Sequence, residues 1–364
     1  MNPCFISTIL FLNYFYTMNP EDFNPSGIGL RNNNFIGLPY SEDNSRIVLF
    51  PVPWDVTVSY GAGTSTGPQN ILNESVQLDL FDHEVPDAWK SGIYFKPINQ
   101  DWLHKGIDLR HQSARYIDFL EEEGDLSSSK QMNQILLDVN KAAAELNEWV
   151  YSNTKKLLQT RKLVGLIGGD HSTPLGYYKA IAEQNPNFGI LHIDAHSDLR
   201  NAYEGFQSSH ASIMRNALEN RSITKLVQVG IRDYCEEEVD FIRANSKRIK
   251  VFYDHEIRNL QFNGSTFEYI AQDIIRELPD EVYISLDIDA LDPSLCPNTG
   301  TPVPGGFSFN EVVYLIKSIV ATERRIIGFD LVETAGTGHP WDGNVAARLV
   351  YKLCSWMAKS NGII

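Results

Sequence analysis

Three short segments of the chain place aspartate and histidine at spacings that suit metal binding. They are Gly-Gly-Asp-His-Ser at 168–172, Asp-Ala-His-Ser-Asp at 194–198 and Ser-Leu-Asp-Ile-Asp-Ala-Leu-Asp-Pro at 285–293. In an Asp-x-His or Asp-x-Asp pair, the two side chains point to the same side while the chain is extended. One such motif alone is more often a turn or a helix cap. Three of them, each following an apolar run, indicate a shared metal site.

The chemistry of such a site follows from its charge. Four aspartates brought together would repel one another and raise each other's pKa unless cations lie between them. Two divalent ions would balance four carboxylates, and mixed carboxylate and imidazole ligands suit Mn, and also Fe, Co, Ni or Zn. Two ions about 3.5–4 Å apart make hydroxide available near neutral pH. We therefore expect a binuclear hydrolytic site.

Three polar residues near the motifs are expected to have structural roles. His192 lies inside an apolar run and is predicted to belong to the core. Asp170 is predicted to be a turn residue or a support behind the metal ligands. Asp292, followed by proline, is predicted to form a turn.

The elements that position these motifs alternate along the chain. Seven apolar runs rich in Val, Ile and Leu predict buried strands, at 46–53, 163–167, 188–193, 226–230, 249–253, 282–286 and 325–331. Apolar residues at three-to-four spacing over 135–150 predict a helix, and Ser172 before Pro174 predicts a helix start. The pattern predicts an α/β fold, a single three-layer α/β/α domain with a central, mostly parallel sheet. Ligands bind such a sheet at the carboxyl ends of its strands, where all three motifs fall.

The chain is divided here into an N-terminal arm, 1–45, and a catalytic domain, 46–364. Residues 1–17 are apolar and contain no Lys or Arg, and Met-Asn-Pro recurs at Met18. We therefore expect Met18 to be the natural start, with a weak export signal as the alternative. Residues 83–130 are weakly periodic and are predicted to be a long excursion over the rim of the sheet.

The composition argues against nucleic-acid binders, zinc-knuckle proteins and disulfide-stabilised domains. A formal charge of −15 argues against nucleic-acid binding and gives slight support to a cationic substrate. The four cysteines form no Cys-x-x-Cys pair, so neither a zinc knuckle nor a disulfide framework is expected. A cytoplasmic protein without membrane attachment is the simplest prediction.

The three motifs resemble the signature motifs of the ureohydrolases, the arginase and agmatinase family. The resemblance extends upstream to 53–68 and downstream to Phe-Asp-Leu-Val-Glu at 329–333, and it covers about residues 46 to 355. It implies two divalent ions per chain, Mn²⁺ in the first place and Ni²⁺ as the alternative. One ion would be held by His171, Asp194, Asp198 and Asp287, and the other by Asp194, His196, Asp287 and Asp289. Asp194 and Asp287 would then bridge the two ions.

The resemblance also implies residues that act on the substrate. Glu333 matches the glutamate that hydrogen-bonds the guanidinium group, and a carboxylate suits that planar cation. His210 matches the histidine that protonates the leaving amine or shuttles protons, a task suited to a group that titrates near neutral pH. Asp198 would orient the attacking hydroxide. The family forms trimers and hexamers, so a homo-oligomer is expected by analogy.

Within the family the chain is most similar to the agmatinase branch, which converts agmatine to putrescine and urea. It lacks the Asn-Thr-Pro and Ser-Gly-Asn elements of arginases and the Ser-Gly-Thr-Pro-Phe of formimidoylglutamases. Residues 334–344 (the 334–344 loop), with Trp341, depart from the usual Val-Asn-Pro turn. Together with the 83–130 excursion, the loop resembles the branch that hydrolyses free guanidine with nickel. Trp341 is predicted to narrow the substrate pocket, or alternatively to pack at the rim or in a subunit contact.

Other enzyme classes fit the sequence less well. Another guanidino-acid ureohydrolase or a formimidoylglutamase is a weaker alternative within the family. A single-zinc deacetylase has the same fold but does not need His171 or Asp198 as ligands. A scaffold without activity would be expected to have lost ligands, and a binuclear phosphoesterase would carry a Gly-Asn-His-Asp or Gly-Asn-His-Glu motif, which is absent.

Overall fold

A parallel sheet of eight strands forms the centre of the molecule. The computed structural model describes residues 19–364, so the prediction on residues 1–17 lies outside the described residues. The strands are β1 (Ile47–Val52), β2 (Ile93–Phe95), β3 (Leu163–Gly168), β4 (Phe188–Ile193), β5 (Ile223–Ile231), β6 (Ile249–Tyr253), β7 (Glu281–Asp287) and β8 (Arg325–Val332). Their order is β2-β1-β3-β8-β7-β4-β5-β6, and every pairing among them is parallel.

Burial on both faces explains why the sequence predicted these strands. All six residues of β1 and all six of β4 are buried, and strands covered on both faces are continuous apolar runs. All seven predicted strands are confirmed, with ends that differ by up to three residues. The strand that was missed is β2, a three-residue edge strand, because so short a run carries no periodic signal.

Helices cover both faces of the sheet. They are α1 (Gly67–Ser75), α2 (Gln100–Glu121), α3 (Lys130–Gln159), α4 (Leu175–Ala182), α5 (Ile213–Ala217), α6 (Glu236–Ala244), α7 (Asp254–Phe262), α8 (Phe267–Arg276), α9 (Phe309–Ala321) and α10 (Pro340–Ser360). One hydrophobic core includes side chains of α1, α8, α9 and α10, and the other includes side chains of α2, α3, α4 and α5. The predicted three-layer α/β/α architecture is therefore confirmed.

The prediction of a long excursion over the rim of the sheet at 83–130 is wrong. This segment contains β2 and the 22-residue helix α2. The buried positions of α2 include Gly106 and Ser113 as well as apolar residues, so its hydrophobic periodicity is weak in the sequence. Gly106 faces the ring of Trp54, where a Cβ would make an ordinary contact at 3.4 Å.

The predicted helix start at Ser172 is also wrong. Helix α4 begins at Leu175 after Pro174, and the Ser172 hydroxyl donates a hydrogen bond to Asp170 Oδ1 at 2.5 Å. The prediction over 135–150 is confirmed by α3, whose buried face includes Ile135, Val139 and Leu146.

The residues before β1 pack on the core. Phe35, Ile36 and Leu38 are buried there. Asn34 binds the edge strand β2, since its Oδ1 accepts from Phe95 N at 2.7 Å and its Nδ2 donates to the Ile93 carbonyl. Across 19–364, none of the helices has the length and apolar character needed to cross a bilayer.

Candidate metal centre

Four adjacent strands bring the predicted ligands to one edge of the sheet. The strands β3, β8, β7 and β4 are consecutive neighbours, and each is followed by acidic or imidazole side chains. Because all four run parallel, their carboxyl ends lie side by side. The three sequence motifs and Glu333 therefore meet at one place.

His171 is at the centre of the first group of ligand atoms. Its Nδ1 lies close to three carboxylate oxygens, at 3.0 Å from Asp194, 3.1 Å from Asp198 and 3.3 Å from Asp287. None of these contacts has hydrogen-bond geometry, so Nδ1 is a buried nitrogen without a partner. Its Nε2 lies 2.9 Å from Ser285 Oγ, which itself donates to Asp330. With the ring proton on Nε2, the Nδ1 lone pair faces the carboxylates, as a metal ligand requires.

The second group lies next to the first and shares Asp194 with it. His196 Nδ1 is 3.0 Å from Asp289 Oδ2 and 3.6 Å from Asp194 Oδ1. Backbone amides fix the carboxylates, because Asp194 Oδ1 accepts from His196 N and Asp287 Oδ1 accepts from Asp289 N. The ligand atoms of Asp194, His196 and Asp289 all lie close enough together to hold one ion. Asp194 thus has the position expected of a bridging ligand, while bridging by Asp287 stays a prediction.

The electrostatics show that this cluster favours added positive charge. Burial, with the nearby Asp289 and Asp194, raises the pKa of Asp287 well above its usual value. Burial alone would lower the pKa of His171, yet its three carboxylate neighbours raise that pKa well above the usual value. A cation at Nδ1 is therefore stabilised. The donor set and the unpartnered nitrogen fit divalent metal ions, which would supply the missing charge.

His192 has a role that the sequence analysis missed. It is buried within β4, as predicted, but its Nε2 lies 2.7 Å from Asp194 Oδ2. Gln228 Nε2 lies 3.0 Å from His192 Nδ1, and as an amide donor it leaves the ring proton on Nε2 to bind Asp194. His192 therefore orients a shared ligand. The signal was present in the sequence, since residues 192, 194 and 196 alternate onto one side of an extended chain.

Turn-forming aspartates shape the loops around the cluster. The predicted turn roles of Asp170 and Asp292 are confirmed, because each accepts a hydrogen bond from the backbone amide two residues later. Sequence reasoning did not single out Asp55. Its Oδ2 accepts from the amides of Gly63 and Ser65 and so fixes the loop that follows β1.

Glu333 lies at the end of β8 beside the cluster. Its Oε1 accepts from His171 N at 2.9 Å, and its Oε2 is buried without a partner. Burial, with Asp170 nearby, raises the pKa of Glu333 well above its usual value. Its φ of 59° and the φ of 55° at Asp198 are left-handed, a conformation that is strained for such residues and concentrates at functional sites. A cation placed at Oε2 would stabilise the ionised carboxylate.

His210 lines the same cavity as Glu333, and two hydroxyl groups lie near its ring. Its Nδ1 is 3.4 Å from both Thr57 Oγ1 and Ser209 Oγ. Burial, helped by the positive charges of His196 and His171, lowers the pKa of His210 to about 3. The sequence analysis expected titration near neutral pH. In the structure His210 is instead a neutral imidazole whose surroundings disfavour its protonation.

A cavity of about 150 Å³ joins these groups. Six of the predicted site residues line it: His171, His196, Asp198, His210, Asp287 and Glu333. Asp194 and Asp289 lie directly behind them. Trp341 does not line this cavity. Its side chain is half exposed, and its indole N–H donates to the Ser294 carbonyl at 3.0 Å.

The comparisons with known proteins agree with this geometry. Residues 45–355 match the model of the arginase family. The chain is 32% identical over 315 residues to the N(1)-aminopropylagmatine ureohydrolase of Thermus thermophilus, covering 86% of this chain and 90% of that protein. It is 28% identical over 301 residues to the agmatinase of Bacillus cereus, covering 83% and 87%.

A solved structure shows the same fold. The proclavaminate amidinohydrolase of Streptomyces clavuligerus superposes with a TM-score of 0.68 at 23% identity, covering 92% of this chain and all of that one. The family model spans most of the chain, including every predicted metal ligand, and the ureohydrolase relatives match over most of their own length. The chain therefore belongs to the arginase family and is a ureohydrolase.

Proposed function

We propose that this enzyme hydrolyses agmatine or a closely related alkylguanidine, releasing urea and an amine. The observation that carries the proposal is the buried, unpartnered Oε2 of Glu333 beside the carboxylate and imidazole cluster. A buried carboxylate oxygen without a donor is costly, and a guanidinium N–H would satisfy it with a charge-assisted bond. The relatives named for agmatine and N(1)-aminopropylagmatine supply the class of substrate.

We assign two divalent ions to the cluster, Mn²⁺ in the first place and Ni²⁺ as the alternative. One would be held by His171, Asp194, Asp198 and Asp287, and the other by Asp194, His196, Asp287 and Asp289. When bound, such a pair lowers the pKa of water and supplies hydroxide near neutral pH. A cytoplasmic location and assembly into a trimer or hexamer stay predictions from the sequence.

The side chains around the cavity would then bind the substrate, orient the water and transfer the proton. Glu333 binds the guanidinium and stabilises its positive charge. Asp198, whose carboxylate lines the cavity, orients the water that attacks the guanidinium carbon. His210 lines the same cavity and would pass a proton to the departing amine.

One exposed carboxylate in the cavity wall favours a substrate with a second cationic group, and Arg200 also lines this wall. Asp233 lines the cavity with a side chain that is 68% exposed. A carboxylate in this position would attract the terminal ammonium of agmatine or of a longer polyamine. Free guanidine is the second candidate, because a cavity of about 150 Å³ is small and its walls are polar.

Release of urea from a panel of guanidino compounds tests the proposal. Protein loaded with Mn²⁺ or Ni²⁺ is assayed with agmatine, aminopropylagmatine, guanidine, arginine and guanidino acids. We expect the highest kcat/KM with an agmatine-type substrate, and we expect Asp233→Asn to raise KM for it about 5-fold while KM for guanidine is unchanged. Asp292→Asn, in an exposed turn, is the matched control. Higher kcat/KM with guanidine supports the second candidate, and no urea from any compound refutes the proposal.

A further inference from the structure

The 334–344 loop contacts a segment other than the cavity wall. Asp342, in the first turn of α10, is completely buried. Its Oδ1 accepts from Asn298 N at 2.9 Å and its Oδ2 accepts from Asn298 Nδ2 at 3.0 Å. The neighbouring Trp341 indole N–H donates to the Ser294 carbonyl. The start of α10 therefore holds the chain at 294 and again at 298.

This anchored chain continues as a roof over Glu333. We call residues 298–301 the roof segment. Thr299 Oγ1 donates to the Glu333 carbonyl at 2.7 Å, and a Cβ added to Gly300 would lie 3.2 Å from Glu333 Oε2. Gly300 O also accepts from Gly61 N at 3.1 Å, which closes the roof from the other side. The space above the free carboxylate oxygen is therefore set by backbone atoms.

Helix α1 holds the 334–344 loop in place. Asn70 Nδ2 lies 2.9 Å from the carbonyl oxygens of both Ala335 and His339. Within residues 19–364, Asp342 has no cationic side chain in ion-pair contact, and its carboxylate oxygens are bound by Asn298 instead. A buried carboxylate is costly in free energy and brings no extra packing. Its contacts point to a role in holding the roof segment.

We propose that Asp342, together with Trp341, is a positioning residue for guanidinium binding. It fixes the distance between the roof segment and Glu333 Oε2. That distance determines how well a guanidinium group fits beside Oε2. The proposal rests on the proposed role of Glu333 as the guanidinium ligand. It assigns the 334–344 loop an effect on substrate choice without contact between Trp341 and the substrate.

An exchange of the two side chains tests this proposal. In Asn298→Asp the new carboxylate faces the Asp342 carboxylate, so two acceptors meet and the contact weakens. Adding Asp342→Asn restores a donor for it, while the side-chain oxygen at position 342 can still accept from the backbone amide at 298. We expect Asn298→Asp to raise KM for the best guanidino substrate about 10-fold, with kcat within about 3-fold and metal content unchanged. In the double variant, KM should return most of the way to the wild-type value.

A matched control separates positioning from stability. Asp82 is also buried against α10, where it accepts from Lys352 Nζ at 2.6 Å, but it does not line the cavity. Asp82→Asn should lower Tm and leave KM unchanged. A lower Tm with unchanged KM in Asn298→Asp, or a double variant that recovers Tm but not KM, would overturn the proposal. Full activity of Glu333→Gln would instead refute the proposed function on which it rests.

Discussion

Replacing Glu333 by glutamine removes one charge at the point where we place the guanidinium. The variant amide keeps an oxygen that can accept from His171 N, as Glu333 Oε1 does at 2.9 Å. The metal ligands and the backbone should therefore stay in place. The other atom, now an N–H donor, would face the substrate cation where the native enzyme has a buried and unpaired oxygen.

The size of the effect follows from the burial of this side chain. Glu333 is 4% exposed, so water cannot replace the lost interaction. Two unit charges about 4 Å apart attract by about 4 kcal/mol at an effective dielectric constant of about 20. Losses measured for single donors that stabilise a transition state are about 3 kcal/mol. We therefore expect kcat/KM to fall by at least about 100-fold.

The assay is steady-state urea release, combined with metal content and Tm on the same preparation. Glu311→Gln is the control, because Glu311 caps α9 through Ser308 and does not line the cavity. It should lower Tm without changing kcat/KM. If Glu333→Gln keeps two ions and stays within a few-fold of the wild type, Glu333 is structural. If it loses metal, its function is to hold His171.

Two further variants test the remaining groups of the site. His210→Asn should keep both metals and lower kcat by about 100-fold in the steady-state assay, since it removes the group that passes a proton to the amine, and an unchanged kcat would exclude that role. Glu204→Gln tests a carboxyl whose pKa is raised to about 7, first by burial and then by Glu121. Because the folded state holds this proton more tightly than the unfolded state, stability is lost as pH rises from about 4.5 to about 7. The Tm advantage of Glu204→Gln should thus be absent near pH 4.5 and largest above pH 7, with the exposed Glu122→Gln as control; a pH-independent difference would contradict this.

The convergence of the metal ligands was predictable because it depends on strands alone. Buried parallel strands leave a clear apolar signal, and the residues that follow them must meet at one edge of the sheet. The sequence alone therefore predicts that His171, Asp194 and Asp287 lie together. The support given to Asp194 by His192 was overlooked because a histidine inside an apolar strand is usually a core residue.

Features that depend on long-range packing were not predictable in the same way. Helix α2 buries Ser113, whose hydroxyl donates to the Val56 carbonyl at 2.5 Å, and a polar buried position of this kind weakens the helical pattern. The low pKa of His210 comes from burial and from charges in other segments of the chain, which a motif does not reveal. Trp341 follows Glu333 closely in sequence, yet the loop between them turns away from the cavity.

The most direct test of a binuclear ureohydrolase is the number of metal ions per chain, measured by elemental analysis. We expect two ions in the wild type, about one in His171→Ala, and almost none in Asp287→Ala, which should also release no urea. Asp292→Ala, which alters only an exposed turn at the same edge, should keep two. One ion in the fully loaded wild type, or two in Asp287→Ala, would contradict the account.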